Sequence, residues 1–397
     1  MTDRHHHANT QLLVLWFSGA CLRVPVLVIP PIIPMLHEDL HLSETAIGWL
    51  SSLPSLLFAL AAIPGAVLIS RFGSVPTLTF GLLVTALGSA ARGASDNAGS
   101  LYGTTILMSA GIALMQPVLP SLVRGWFPSR VGFATAVYTN GLLVGEVFVT
   151  ALTIPLVLPW VNNSWRASAV VWSVPVLLTA LLVAAARRRL VIGRNQLQQA
   201  PTKWWPDWRS PLVWQLGALM GTVNASYFST NAFLPDYLQS NGHPELIASA
   251  LTALNVAQVP ASLIMLVFAP RFLRRRWPYI SAALLTLSGL IGMMVTSGYW
   301  MVLWAGVVGF SVASNLILAL GLPAALCEQS DVPRTSAGMF TISFSFAVLI
   351  SISCGWIWDF SGSAVIALMP IALCSLITVA AVCQIIGRQR VRDPLEV

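Results

Sequence analysis

From Leu12 to Leu36 the chain runs through 25 residues whose only charge is Arg23. A helix of about 20 apolar residues crosses the hydrocarbon core of a bilayer, so this run is long enough to span one. Comparable runs follow at 46–70, 74–92, 99–123, 132–158, 166–186, 211–239, 246–269, 278–297, 299–326, 335–358 and 363–386. Charged residues make up 9% of the chain, where a soluble protein carries about 25%. Water-soluble folding is excluded on that ground. The expected fold is an all-α polytopic membrane protein of about 12 transmembrane helices. No cleavable leader is expected, because the first run is too long and more spans follow it.

Arg23 lies near the middle of the first run, roughly 17 Å from either end at about 1.5 Å per helical residue. Its side chain is too short to snorkel out from there. A charge facing lipid at that depth costs between about 3 and 17 kcal/mol. Arg23 must therefore face protein or a watery cavity. By default such a charge marks a solute pathway; the plainer alternative is an arginine that ties helices together. Glu146 is the other ionisable side chain read as lying well inside a span. Two roles are open for it: a proton site whose neutralisation frees Arg23 for an anion, or a fixed partner for Arg23.

Basic residues set the orientation. The N-terminus, the even-numbered loops and the C-terminal tail hold 18 of the 21 lysines and arginines, and the opposite loops hold only Arg92 and Arg166. Positive charge collects on the cytoplasmic side, so both termini are expected there, in a cell (inner) membrane. The net charge of +7 then has a topological meaning and does not point to nucleic acid. The five cysteines form no C-x-x-C pair and read as small buried hydrophobes.

The polar stretch 187–210 separates the sixth run from the seventh. It divides the chain into an N-terminal six-helix half (1–186), a cytoplasmic linker and a C-terminal six-helix half (211–397). The halves read as diverged copies. A shift of 201 residues lays Pro34–Leu53 over Pro235–Leu254; slightly different shifts pair Arg71-Phe72 with Arg271-Phe272, Pro120 with Pro323, and Arg130 with Arg334. Two such halves suit a rocking transporter with its site between them. The same shift lays Arg23 over Asn224. Asn224, Tyr227 and Asn231 share one helical face, as do Asn255 and Gln258. They read either as cavity lining or as polar ties between helices. Gln116, Tyr138 and Asn315 are further wall candidates. Trp16, two turns before Arg23, would shape an apolar side of the pocket or simply pack.

His37-Glu38-Asp39-Leu40-His41 matches the zinc-protease pattern H-E-x-x-H. The motif is read as a short external loop without a cleft or third ligand, so no metal is expected. His5-His-His7 reads as a disordered tail or as the remnant of an added tag. No phosphate loop, dinucleotide fingerprint or nucleophile elbow is present, so neither a nucleotide-driven pump nor a membrane enzyme is supported, and no cofactor is implied. Asp236 and Glu328 are placed at the membrane interface, and Asp359 in water. Prolines 25, 30, 31 and 34 are expected to break the first span, 117 and 120 the fourth, and 155 and 159 the end of the fifth. Such breaks survive only beside protein or a water-filled cavity.

At this point the residues resemble the major facilitator superfamily. Gly65-Ala-Val-Leu-Ile-Ser-Arg71-Phe-Gly73 is similar to its loop between the second and third helices, with Ser70 where the motif has an acid. Gly65, Arg71 and Gly73, with Arg271 in the second half, are thus conformational-loop residues. Within the superfamily the chain resembles the cyanate / 2-nitroimidazole permease group. The matching stretches are Leu22-Arg23-x-Pro25 with Pro31 and Pro34, Leu42-Ser43 with Ala46-x-Gly48-Trp-Leu50 and Leu53-Pro54, Pro120 with Phe127-Pro128 and Arg130-Val-Gly132, and Trp165-Arg166. In the second half only scattered positions match. The resemblance implies a monomeric secondary transporter for a small anionic or weakly acidic solute, working by alternating access and open to proton coupling. Arg23 would hold the anion. The alternative is proton-coupled efflux of drug-like or nitroheteroaromatic compounds. A solute sensor would need an output domain, and the linker is too short to be one.

Overall fold

The computed structural model describes residues 2–60, 68–69, 71–128, 130–187, 190, 205–328 and 331–392. Among them helices and turns account for the backbone, and no strand occurs. Ten helical segments are long and apolar enough to cross a membrane. The seventh span is a long helix, but its middle carries Asn224, Ser226, Ser229, Thr230 and Asn231, which makes it too polar to count by composition. The second is described over Glu44–Leu60. Most of the predicted linker, and Gly65 and Ser70, lie outside the described residues.

The chain divides into two compact units, Met1–His41 with Leu56–Ala200, and Leu42–Ser55 with Pro201–Val397. The first unit opens with α1 (Thr2–Cys21), α2 (Val24–Leu27), a 3-10 turn (Pro30–Ile32) and α3 (Ile33–Leu40). Proline explains these breaks: each lacks the N–H that would bond the carbonyl four residues back. Prolines indeed occupy the first or second position of α2, of the 3-10 turn and of α3. Helix α4 (Glu44–Leu60) follows in sequence, belonging to the second unit up to Ser55; the first unit goes on with α5 (Ser74–Ala91), α6 (Ala98–Trp126), α7 (Val131–Leu152) and α8 (Trp165–Ala186). Between α7 and α8 a π-helical turn, Thr153–Val157, carries Pro155. The fourth span departs from expectation: α6 runs unbroken through Pro117 and Pro120. His5–His7 also lie within α1, not in a disordered tail.

The second unit is built of α9 (Pro211–Ser240), α10 (Ile247–Val256), α11 (Gln258–Phe272), α12 (Arg276–Val295), α13 (Tyr299–Leu326), α14 (Val332–Ser361), α15 (Ala364–Ala367) and α16 (Met369–Arg392). Its core joins Leu216, Leu219 and Met220 of α9 to Tyr279, Leu318, Leu322, Met339 and Val382. Burying one such large side chain contributes about 1.5–3 kcal/mol where water is the alternative; between membrane helices close packing and hydrogen bonds carry more of the load.

Helix pairing repeats between the units. In the first, α1 packs on α7, α5 on α6 and α8 on α5; in the second, α9 packs on α14, α12 on α13 and α16 on α12. These are the same span pairs in each half, as a duplicated sequence predicts.

Helix α4 begins with an unusual cap. Ser43 Oγ accepts from the amide of Ala46, and the amides of Glu44 and Thr45 donate to the Asp359 carboxylate of α14 at 3.0 and 2.8 Å. The first amides of a helix have no partner inside it, and a carboxylate there also meets the positive end of the helix dipole. Asp359 is exposed, as expected, but it is engaged.

Candidate functional site

The candidate residues form two groups, one in each unit. In the first, the helix halts at Leu22-Arg23: the amides of Leu22 and Arg23 bond the carbonyls of Gly19 and Ala20 in tight turns, each at 3.1 Å. Pro25 has no amide to continue the ladder. Arg23 caps the restarted helix α2, and its carbonyl accepts from both Val26 and Leu27 at 3.0 Å. Its Nε lies 3.1 Å from Glu146 Oε1, with the arginine side chain 19% exposed and the glutamate 2%. The two mid-span charges read from the sequence therefore meet. A charge-assisted hydrogen bond of this kind offsets part of the cost of burying both groups.

Helices α1 and α7 approach closely enough for that pair because both carry glycine at the crossing. A Cβ on Gly141 would collide with the backbone carbonyl of Trp16, and one on Gly19 with that of Tyr138. Trp16 Nε1 donates to Asn140 Oδ1 at 2.9 Å. Trp16, Tyr138 and Gln116 are each half-buried. Asn140 escaped the sequence reading: an exposed helical amide next to a glycine carries no mark of the partner it will find.

In the second unit Asn255 is the hub. Its Oδ1 accepts from Tyr227 Oη at 2.8 Å and from Gln258 Nε2 at 3.2 Å, and its Nδ2 donates to Asn231 Oδ1 at 3.1 Å. The hub stands one residue before α10 gives way to α11, where Ala257 interrupts the helix. Asn224 joins a different partner, donating to Ser343 Oγ of α14 at 2.8 Å. Asn315 is 3% exposed, and its Oδ1 has no hydrogen-bond partner among the described residues. Leaving a buried acceptor unpaired costs about 1–3 kcal/mol. Asp236, expected at the interface, is 6% exposed and so buried.

The structure alters the reading of two loop segments. The H-E-x-x-H stretch is not a loop: His37 to Leu40 form the last turn of α3, and His41 ends it with a left-handed backbone, φ 51°. Asp39 accepts from Trp165 Nε1 at 2.9 Å and pairs with Arg166, whose guanidinium lies over the Trp165 ring at 4.4 Å. The Trp165-Arg166 pair thus has a partner inside the zinc-like motif. Arg92, counted among the loop charges, is 1% exposed and so buried. Of the conformational-loop residues, Gly65 lies outside the described set, and Arg71 and Arg271 are exposed. Gly73, at φ 88° and ψ 165°, precedes α5 in a conformation open only to glycine.

A chain of bilayer-length helices broken by proline, in two units of like pairing with a charged pair at the first break, is the build of a solute carrier. Solved structures agree on the fold. A bacterial homologue of the human lysosomal transporter Spinster, in its inward-facing and occupied conformation, matches with a TM-score of 0.75 at 15% identity, covering 99% of this chain and 98% of that one. Among curated proteins, the uncharacterized transporter YycB of Bacillus subtilis is 27% identical over 97% of this chain and 96% of its own. The cyanate transport protein CynX of Escherichia coli is 26% identical over 91% and 96%. The 2-nitroimidazole transporter of the same species is 27% identical over 90% of each chain. Residues 15–253 match the Major Facilitator Superfamily, so the chain belongs to that superfamily and is a multi-pass membrane transporter, not an enzyme.

Proposed function

We propose that the protein moves a small anionic or weakly acidic solute, of cyanate-like size, across a bacterial inner membrane by alternating access. The observation that carries this reading is the Arg23–Glu146 pair at the break of the first span, 3.1 Å apart. The solute's negative group would compete with Glu146 for the guanidinium. A proton taken up by Glu146 would favour that exchange and would in that case couple transport to the proton gradient. Asn224, Tyr227, Asn255, Gln258 and Asn315 would supply neutral polar contacts from the second unit, and Gln116, Tyr138 and Trp16 would complete the wall. The likeness to a cyanate transport protein along most of both chains supports the substrate class. The linker 187–210 would join the halves on the cytoplasmic side, and the carrier would work as a monomer.

Thermal-shift titration of the purified protein with cyanate, nitrate, formate and acetate tests the reading. A ligand that binds the folded state raises its stability by mass action. The expected result is a shift in wild type that Arg23→Ala abolishes. Equal shifts in both proteins would remove Arg23 from the site.

Efflux of nitroheteroaromatic compounds is the second reading, favoured by the likeness to a 2-nitroimidazole transporter and by the Trp16 ring held by Asn140. It predicts that 2-nitroimidazole stabilises wild type and Arg23→Ala alike, and that Trp16→Ala abolishes the effect.

A further inference from the structure

While Glu146 is ionised its pair with Arg23 carries no net charge, and in that state it gives the interior of the first unit no preference for the sign of a visiting solute. The preference has a different source. Arg92, in the turn after α5, is 1% exposed. Its Nε donates to Thr105 Oγ1 of α6 at 3.2 Å and its Nη1 to the carbonyl of Pro25 at 2.6 Å. Its Nη2 is buried with no hydrogen-bond partner, and among the described residues Arg92 makes no ion pair. Pro25 belongs to α2, the short helix that Arg23 caps. A buried guanidinium without a counter-ion is thus fastened two residues from the proposed anion-binding arginine.

Such a group is expensive to keep. Removing a cation from water costs far more than one carbonyl and one hydroxyl return, and a nearby carboxylate is the usual remedy. Here the Glu146 carboxylate faces Arg23 instead. Arg23, Glu146 and Arg92 together carry one net positive charge, in surroundings where a charge acts over longer distances than in water.

We infer that Arg92 determines the charge selectivity of the carrier. It is a fixed cation that attracts a small monoanion to the Arg23 turn without touching it, and it disfavours cations at the same place. The inference rests on the proposed anion site and names what makes that site prefer anions. It also accounts for a buried Arg92 that shares its two contacts with neutral oxygens only.

The test is the midpoint concentration of the thermal shift for cyanate, nitrate, formate and acetate, with acetamide as a neutral counterpart of acetate. Arg92→Gln keeps a donor for the Pro25 carbonyl but loses the charge, and is expected to weaken the best anion about tenfold. Any acetamide midpoint stays unchanged. Arg92→Lys keeps the charge and is expected to bind like wild type. Glu146→Gln adds one positive charge and should tighten the anion, and Arg92→Gln combined with Glu146→Gln restores the net charge and should recover most of the lost affinity. If Arg92→Gln does not fold on its own, the double variant is compared with Glu146→Gln alone, where loss of the Arg92 charge is again expected to weaken the anion about tenfold, and equal midpoints overturn the inference. Anion midpoints that ignore Arg92→Gln, or that neither Arg92→Lys nor the double variant restores, overturn the inference and leave the Arg23 site standing. An anion midpoint weakened by Glu146→Gln overturns it too. A wild type that no anion stabilises overturns both readings together.

Discussion

Glu146 is the residue on which the interior of the first unit balances. Its carboxylate is almost fully buried against Arg23, and removing one partner of a buried pair leaves the other without compensation. Glu146→Gln is therefore expected to destabilise the protein by about 3 kcal/mol, and Arg23→Gln with Glu146→Gln to recover most of that loss. Thermal unfolding of the single and double variants checks both. Comparing transport by Glu146→Gln with wild type over a range of pH separates the two roles open for the glutamate. A flattened pH profile is expected of a proton site; an unchanged one leaves Glu146 as a fixed partner. The pairing itself was legible in the sequence, because two opposite charges stranded in mid-span have strong reason to find each other. The burial of Arg92 was not legible, for the opposite reason. It stands at the edge of an apolar run, and a sequence does not say whether a side chain at a helix end turns outward or folds back onto Pro25.

The α1–α7 crossing is the element that brings this pair together, and it depends on having no side chain at Gly141. A methyl group there meets the Trp16 carbonyl and forces the helices apart. Gly141→Ala is expected to cost about 1–3 kcal/mol, as overpacking does, and to weaken the anion-induced thermal shift in the same step. A shift of wild-type size at lowered stability would separate the crossing from the site. At this scale the sequence is readable where proline removes a hydrogen bond at a helix start, as in α2 and α3. It misleads at Pro117 and Pro120, where α6 continues. Membrane helices tolerate proline when neighbours supply the freed carbonyls with partners, and that supply depends on packing that no local stretch records. The Asn255 hub shows the same limit: spacing put Asn224, Tyr227 and Asn231 on one face, but Asn224 went to Ser343 and the other two to Asn255.

Over the whole molecule the duplication was the most legible feature, since a shift of about 200 residues aligned segments whose helices then pair alike in both units. The orientation proposed from the arginine and lysine count has a direct test. A green fluorescent protein fused to either end is expected to fluoresce in the cytoplasm, and alkaline phosphatase inserted after Asn97 or Asn163 to be active outside. Active phosphatase at the ends instead would invert the topology. The repeat did not reveal that Leu42–Ser55 packs with the second unit, nor that the opening amides of α4 are held by Asp359. That cap has a consequence in time. As the chain leaves the ribosome, the second span enters the membrane long before its acceptor exists, and more than three hundred residues must still be translated. Until then those amides depend on water, so the start of the second span is finished by one of the last parts to be made.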